Sequence, residues 1–495
     1  LRPDEVDTVV VRAAGSPLFL EELLRVVSGP GEITDLPDSL DAVVSAQIDA
    51  LTPDARTVVR YASVLGRSFR ELVLERVLES EKFRLGEADH ASLQDFFELE
   101  GDRLRFRHSL MRDVAYESLS YQRRRDLHRR AGDIMEKLAG ADRESIAAAL
   151  ALHSAMAGEP QRTWRYALTA ANRAERAHAT IEAVTNNERA LEAARRLDDI
   201  GEQTKADVWV RLGDVRQLCG MLDASLDAYR RASTLVGDDQ HARAAVTLNR
   251  ARARERVGAF PSALRELARA DRLLDDDGQD ANATAKLRAQ LTAFRAMIRW
   301  GQERPQLASE VATQAAKLAR EVGETDALAQ SLMVLDLADL ALGGPGQGKN
   351  LREALSLFEE LGDLPHEAQA RGNLGFVAAH AGRWNEAVEW FVSCRAVYER
   401  IGDVIGASLA GLNLGEMLTN QRRFGEATPV LQNARRVMQA AGFTDGAEYA
   451  AVQLARVLIE EGDLAEAHGL LAAAEATFLA LGQNSSALEA AMVLA

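Results

Sequence analysis

From about residue 141 onward, apolar positions recur at three- and four-residue spacing, the signature of helices with one buried stripe. A longer period is laid over this one. Leu374, Leu414 and Leu454 stand 40 residues apart, as do Glu386-Ala387, Glu426-Ala427 and Glu466-Ala467, and the turn glycines Gly402, Gly442 and Gly482. Each unit reads as two helices. The first ends near Gly382 or Gly462, and the second starts near Trp384, Phe424 or Leu464. Gly375, Ala378 and Ala387 are small where two helices must approach closely; Trp384, Phe391, Phe424, Leu431 and Leu471 are large enough to fill the groove between them. One such pair cannot bury its apolar face alone, so the units must stack. Earlier copies are looser: Leu212-Gly213, Gly220, Leu222 and Tyr229, then Gly258, Phe260 and Leu267, with Gly158, Trp164 and Ala167 marking a further pair. Residues 141–495 hold about nine units at this spacing.

Residues 1–140 follow another pattern. Leu36-Pro37-Asp38-Ser39 opens one helix, and Thr52-Pro53 opens a second that Gly66 closes. A third helix follows from Arg70 to about Leu78. Glu100-Gly101-Asp102 is a turn, after which Leu104 and Phe106 alternate with Arg103, Arg105 and Arg107, the period of a strand. Three helices and a β-hairpin make a winged-helix domain, and a single long helix is expected to leave it from Ser109 to Ala139.

Leu374, Gly375, Ala378, Gly382, Trp384, Ala387 and Phe391 resemble the tetratricopeptide repeat, with a step of 40 instead of about 34 that longer helices would supply. HEAT repeats have the period but lack the Gly-x-aromatic-x-x-Ala signature. The resemblance implies an all-α fold, a right-handed superhelix of tetratricopeptide-like helix pairs, with a protein or peptide held in the groove. Gly15–Val27, Leu36–Phe69 and Arg105–Glu136, with the phrase RFRHSLMRDVAYESL, resemble the ATPase-to-repeat junction of bacterial STAND-type signalling ATPases. Three regions follow: residues 1–35, the helical end of an ATPase domain; 36–140, the winged helix and its exit helix; 141–495, the repeat array. Because the chain opens and ends within helical patterns, it is expected to be a piece of a longer protein, with ATPase and effector domains upstream.

In that family a Gly-x-Pro turn packs its proline on adenine, and Gly15-Ser16-Pro17 matches it. A winged-helix histidine reaches the phosphates of bound ADP, and His108 matches that. The resemblance thus implies ATP or ADP in the full-length parent, touched by Pro17 and His108, and no cofactor for this piece alone. It implies a regulatory, protein-binding arm of a class III adenylate or guanylate cyclase with ATPase and repeat regions, or else the C-terminal sensor of a LuxR- or SARP-type transcription regulator.

Composition narrows the rest. The formal charge of −16, from 59 Lys+Arg and 75 Asp+Glu, opposes general binding to nucleic acid, which needs clustered positive charge. No apolar run is long enough to span a bilayer, so no membrane partner and a cytoplasmic location are expected. Two cysteines, Cys219 and Cys394, make neither a disulfide framework nor a zinc site. The run Gly343–Asn350 nearly spells a phosphate loop, but Asn350 stands where magnesium needs a hydroxyl, and a helix precedes it where a strand is required; it reads as a flexible connector. Leu273–Gly278 lacks the first and last ligands of a calcium loop. Arg123, Arg124, Arg125, Arg129 and Arg130 form the one basic cluster and read as a solvated helix face. No catalytic residue and no metal site emerge, and this piece is not expected to be an enzyme.

Overall fold

A computed structural model describes residue 20 and residues 39–83, 92–256, 258–275, 280–481 and 483–494. Its described residues form 23 helices and one three-stranded sheet. The fold is all-α, with tetratricopeptide-like helix pairs, and it divides into two compact units at Cys219/Gly220.

The first unit begins with α1 (Leu40–Ala50) and α2 (Pro53–Leu65). Their starts are those expected from sequence: Ser39 Oγ accepts from the Ala42 amide at 3.2 Å and Thr52 Oγ1 from the Ala55 amide at 3.1 Å. Gly66 closes α2 at φ 107°. Then come β1 (Ser68–Arg70), α3 (Glu71–Ser80), β2 (Phe97–Glu100) and β3 (Arg103–Phe106). The hairpin β2–β3 was legible; β1 was not. It pairs antiparallel with β3, Phe69 opposite Leu104, giving the order β1-β3-β2. Phe69, Phe97 and Phe106 meet on the buried face with centroids 4.6–6.2 Å apart, and Val59, Ala62, Leu74 and Val77 cover them.

The expected long helix from Ser109 to Ala139 is broken. It forms α4 (Ser109–Glu117) and α5 (Tyr121–Ala139). Ser118 Oγ donates to the Ala115 carbonyl at 2.7 Å, and Ser120 caps α5 by accepting from the Arg123 amide at 3.3 Å. Two serines thus compete with the helix ladder and win at the one place where both can do so. The unit continues through α6 (Ala147–Ala157), α7 (Pro160–Arg176), α8 (Thr180–Ala194) and α9 (Glu202–Leu218), each packed on the next.

The second unit runs from α10 (Leu222–Leu235) and α11 (Gln240–Glu255) through α12 (Phe260–Asp275), α13 (Ala281–Gly301), α14 (Pro305–Val322), α15 (Thr325–Ala341) and α16 (Lys349–Leu361). It ends with α17 (Leu364–His380), α18 (Trp384–Ile401), α19 (Val404–Asn420), α20 (Phe424–Ala440), α21 (Thr444–Glu461), α22 (Leu464–Ala480) and α23 (Asn484–Leu494). The 40-residue step survives intact: Leu364, Val404, Thr444 and Asn484 open successive first helices, and Trp384, Phe424 and Leu464 open the second ones. Helices of 17 and 18 residues account for the long period. The first helix of each pair starts well before the Leu-Gly landmark, because Asp363 and Asp403 cap it from upstream. Consecutive helices pack side by side, and first helices also touch first helices at α11–α13, α13–α15, α15–α17, α19–α21 and α21–α23, while α17 and α19 are joined through α18. The first helices therefore form a row, with the second helices beside it.

Glycine is required at two points in this row. A Cβ on Gly375 would meet the Phe391 ring at 2.7 Å, and one on Gly415 would meet Leu431 Cδ2 at 2.4 Å. Both partners are fully buried.

Candidate functional site

The row of first helices carries a second 40-residue register. Asn373 on α17, Asn413 on α19 and Gln453 on α21 each precede the landmark leucine and so occupy the same place in three consecutive pairs. All three side chains are amides with two donors and an acceptor. The fold uses them unequally. Asn373 Nδ2 is shielded from solvent and has no partner. Gln453 is fully buried; its Oε1 accepts from Arg456 Nη1 at 2.8 Å, and its Nε2 faces the Tyr449 hydroxyl as a donor, without reaching full hydrogen-bond geometry. A buried donor without a partner costs about 1–3 kcal/mol. Such a cost persists where a ligand completes the bond.

Charged groups flank this ladder. Arg456 on α21 reaches back to Asn420 Oδ1 on α19 at 2.9 Å. Burial raises the Glu416 carboxyl, Arg456 opposes the rise, and Glu489 on α23 adds to it. The Tyr449 hydroxyl is pushed up to about 12 by burial and by Glu416 and Glu489. Groups on α19, α21 and α23 thus feel one another, which places them along one face of the row. Phe376 and Leu409 stand partly exposed on α17 and α19. The face offers amide donors and acceptors at a fixed step, with apolar surface between them.

The ladder is a feature that the sequence pattern contained and that the sequence reading passed over. The asparagines stand directly before the quoted Leu-Gly pair, but periodicity alone does not say whether a polar residue is bonded within its helix or left open.

The two residues expected at nucleotide fare differently. Pro17 lies outside the described residues. His108 is the residue before α4, in extended conformation at φ −129°, half-buried, with no side-chain capping bond. Its ring makes no hydrogen bond among the described residues. It stands near Glu98, whose carboxyl is held below the usual range by Arg105 first, then by Arg107, with His108 adding a little.

The basic cluster is partly exposed and is also ion-paired within the chain. Arg123 and Arg130 pair with Glu81 at 3.0 and 3.1 Å, Arg129 with Glu159 at 3.0 Å, and Arg124 donates to the Leu119 and Glu117 carbonyls. The Gly343–Asn350 connector is not loose. Asp336 on α15 accepts from the Leu351 amide at 2.9 Å and from Asn350 Nδ2 at 2.8 Å, so a carboxylate of this chain fills the helix end where a phosphate would sit. A Cβ on Gly344 would collide with Asp339. The acidic run near Asp275 lies partly outside the described residues; among the described residues no cluster of three or more His, Cys, Asp or Glu could hold a metal. The Cys394 thiol is buried and pushed up to about 12 by that burial. No helix among the described residues is long and apolar enough to cross a membrane.

No protein-family model matches the chain, and no curated protein does. Solved structures do. The chain superposes over 99% of its length on 71% of a signal transduction ATPase with numerous domains from Pyrococcus horikoshii that carries a tetratricopeptide repeat sensor, at 14% identity and TM-score 0.46. It superposes over 67% of its length on 96% of a Rap protein complexed with Competence and Sporulation Factor, at 14% identity and TM-score 0.42. It covers 88% against 94% of aspartyl phosphate phosphatase F from Bacillus subtilis, at 14% identity and TM-score 0.34.

Proposed function

We propose that the chain is the regulatory, protein-binding arm of a multidomain, ATP-binding signal-transduction protein of the cytoplasm, of the STAND type. In this reading the row of first helices holds an extended peptide segment. The observation that supports it is the amide register of Asn373, Asn413 and Gln453, in which Asn373 Nδ2 is shielded and has no partner among the described residues. An extended peptide presents carbonyls and amides at regular intervals, so a ladder of side-chain amides can bond its backbone whatever its sequence, while the apolar and charged groups between the rungs select side chains. Bound peptide would favour whichever arrangement of the parent holds the row open, by no more than its difference in affinity between arrangements.

The N-terminal half carries the second element of the proposal. Helices α2 and α3, with β1, β2 and β3 between and after them, support a winged-helix reading, and His108 sits at the hairpin's exit with its imidazole free to meet a phosphate of nucleotide bound upstream. Pro17 would pack on the adenine. The effector in the parent would be a class III nucleotide cyclase.

A peptide-display library panned on the chain tests the ladder. Selected peptides are expected to bind at micromolar Kd by calorimetry, and to lose at least tenfold in affinity against the N373A/N413A/Q453A variant. Selection of no peptide, or equal affinity for the variant with its helical circular dichroism intact, would overturn the reading.

A further inference from the structure

A second site lies in the first unit, far along the sequence from the ladder and independent of it. Helices α6, α7 and α8 line a cavity of about 360 Å³ that is open to solvent. Gly158, Pro160 and the buried Thr163 line one side, and Thr185, Arg189 and Arg196 line the other. On α8 and its extension, Thr185, Arg189, Glu192 and Arg196 follow at four- and three-residue steps, so they share one stripe.

Arg189 is the unusual member. It is half-buried, and among the described residues its guanidinium makes one hydrogen bond, from Nη1 to Asn186 Oδ1 at 2.8 Å. Among the described residues no carboxylate pairs with it, and burial depresses its pKa. Arg196, on the rim, has no ion pair either among the described residues. Yet three carboxylates border the cavity. Each is committed elsewhere: Glu159 to Arg129 at 3.0 Å and Arg162 at 3.2 Å, Glu188 to Arg216 at 2.7 Å, and Glu192 to Arg195 at 2.7 Å. Glu192 stands within helical reach of both Arg189 and Arg196 and turns to neither. The threonines cannot serve as donors into the space, because Thr163 donates to the Glu159 carbonyl and Thr185 to the Ile181 carbonyl.

A guanidinium drawn out of water without a counter-ion is costly, and buried charges are as a rule paired. Here the carboxylates near Arg189 are engaged by other arginines, only one hydrogen bond of its guanidinium is made among the described residues, and the side chain lines the cavity. The first turn of α7 borders the same space, and its dipole adds a little positive potential without making a site of its own.

We propose that this cavity binds a small oxyanion group, a phosphate or a carboxylate of a ligand, held between Arg189 and Arg196. A planar fork of donors suits both chemistries. The proposal does not depend on the peptide-binding reading, since it uses no residue of the second unit.

Isothermal calorimetry of the intact chain at constant ionic strength tests it, with inorganic phosphate in one arm and acetate in the other. Binding at millimolar Kd or tighter is expected in at least one arm, and the arm that binds tells phosphate from carboxylate. R189Q, which removes the charge and keeps an amide, is expected to weaken that binding at least tenfold. R189K should retain part of it, and R176Q, which removes an exposed arginine paired with Glu144, should leave it unchanged. No binding in either arm would overturn the proposal, as would equal binding by a folded R189Q or equal loss in R176Q.

Discussion

His128 and His153 face each other inside the first unit with Nδ1 atoms 2.9 Å apart, and Tyr116 Oη lies 3.0 Å from His128 Nε2. Both imidazoles are buried. One proton can lie between the two Nδ1 atoms, so the two rings cannot both be charged. Burial is the first cause that lowers both, His128 to about 3 and His153 to about 4; His153, Arg112 and Arg124 add to the fall at His128, and Arg162 at His153. A base whose folded pKa is depressed binds protons in the unfolded chain first. Its contribution is full above the unfolded value of about 6.5 and is lost as pH falls toward the folded value. Below pH 6.5 the pair is expected to cost about 1.4 kcal/mol per pH unit for each histidine, down to about pH 4. Urea unfolding of the first unit at pH 7, 6, 5 and 4 checks this; H128L/H153L should flatten the decline. At the same scale, Gly375 and Gly415 show what a repeat motif means physically. Their missing Cβ atoms are space already taken by Phe391 and Leu431. The third copy has Ala455 at that place, fully buried, with Leu471 serving as the large partner.

Among the elements, the decisive events occur at helix ends. The break between α4 and α5 came from two serines, and the start of α16 from Asp336, a residue on the preceding helix. Asp336 satisfies the Leu351 amide and holds Asn350, so D336A is expected to lower stability by about 1 kcal/mol, as the loss of a capping side chain does. K349A should change nothing measurable, because Lys349 is exposed and the helix end already carries its anion. Chemical denaturation followed at 222 nm compares the two. If K349A proves the more damaging, the connector does more than join two helices. Most of the helices were legible, and so were the few caps read from sequence: Ser39, Thr52 and Gly66 stand where sequence put them. β1 was not, since three residues, Ser68–Arg70, carry too little alternation to be read as a strand before β3 is there to pair with them.

For the molecule as a whole, the contact pattern within the second unit is local. Each helix packs on the next, and first helices touch first helices of adjoining pairs. Stability in such an array is close to a sum of nearest-neighbour terms. Removing α22 and α23 is therefore expected to leave α10 to α20 folded, with helical signal reduced in proportion to length and a thermal transition lowered by only a few degrees. Collapse of the whole second unit on this truncation, by circular dichroism or hydrogen exchange, would contradict it.

What the sequence determined alone is the set of features that repeat: the 40-residue step, the paired helices, the small and large residues that must face each other. These follow from local periodicity, because a stripe recurring every three to four residues has one helical solution and identical pairs have one way to stack. What only the tertiary structure decided is which polar groups remain open. Arg123, Arg129 and Arg130 looked like a free basic face and are spent on Glu81 and Glu159. Asn373 and Arg189 carry no signal along the chain that sets them apart, and among the described residues Asn373 Nδ2 has no partner and Arg189 no carboxylate. A polar side chain reaches its partner across elements distant in sequence, at distances of about 3 Å that no spacing along the chain encodes. The candidate sites are therefore the remainder after those long-range bonds are made, and they become visible once the helices are in place.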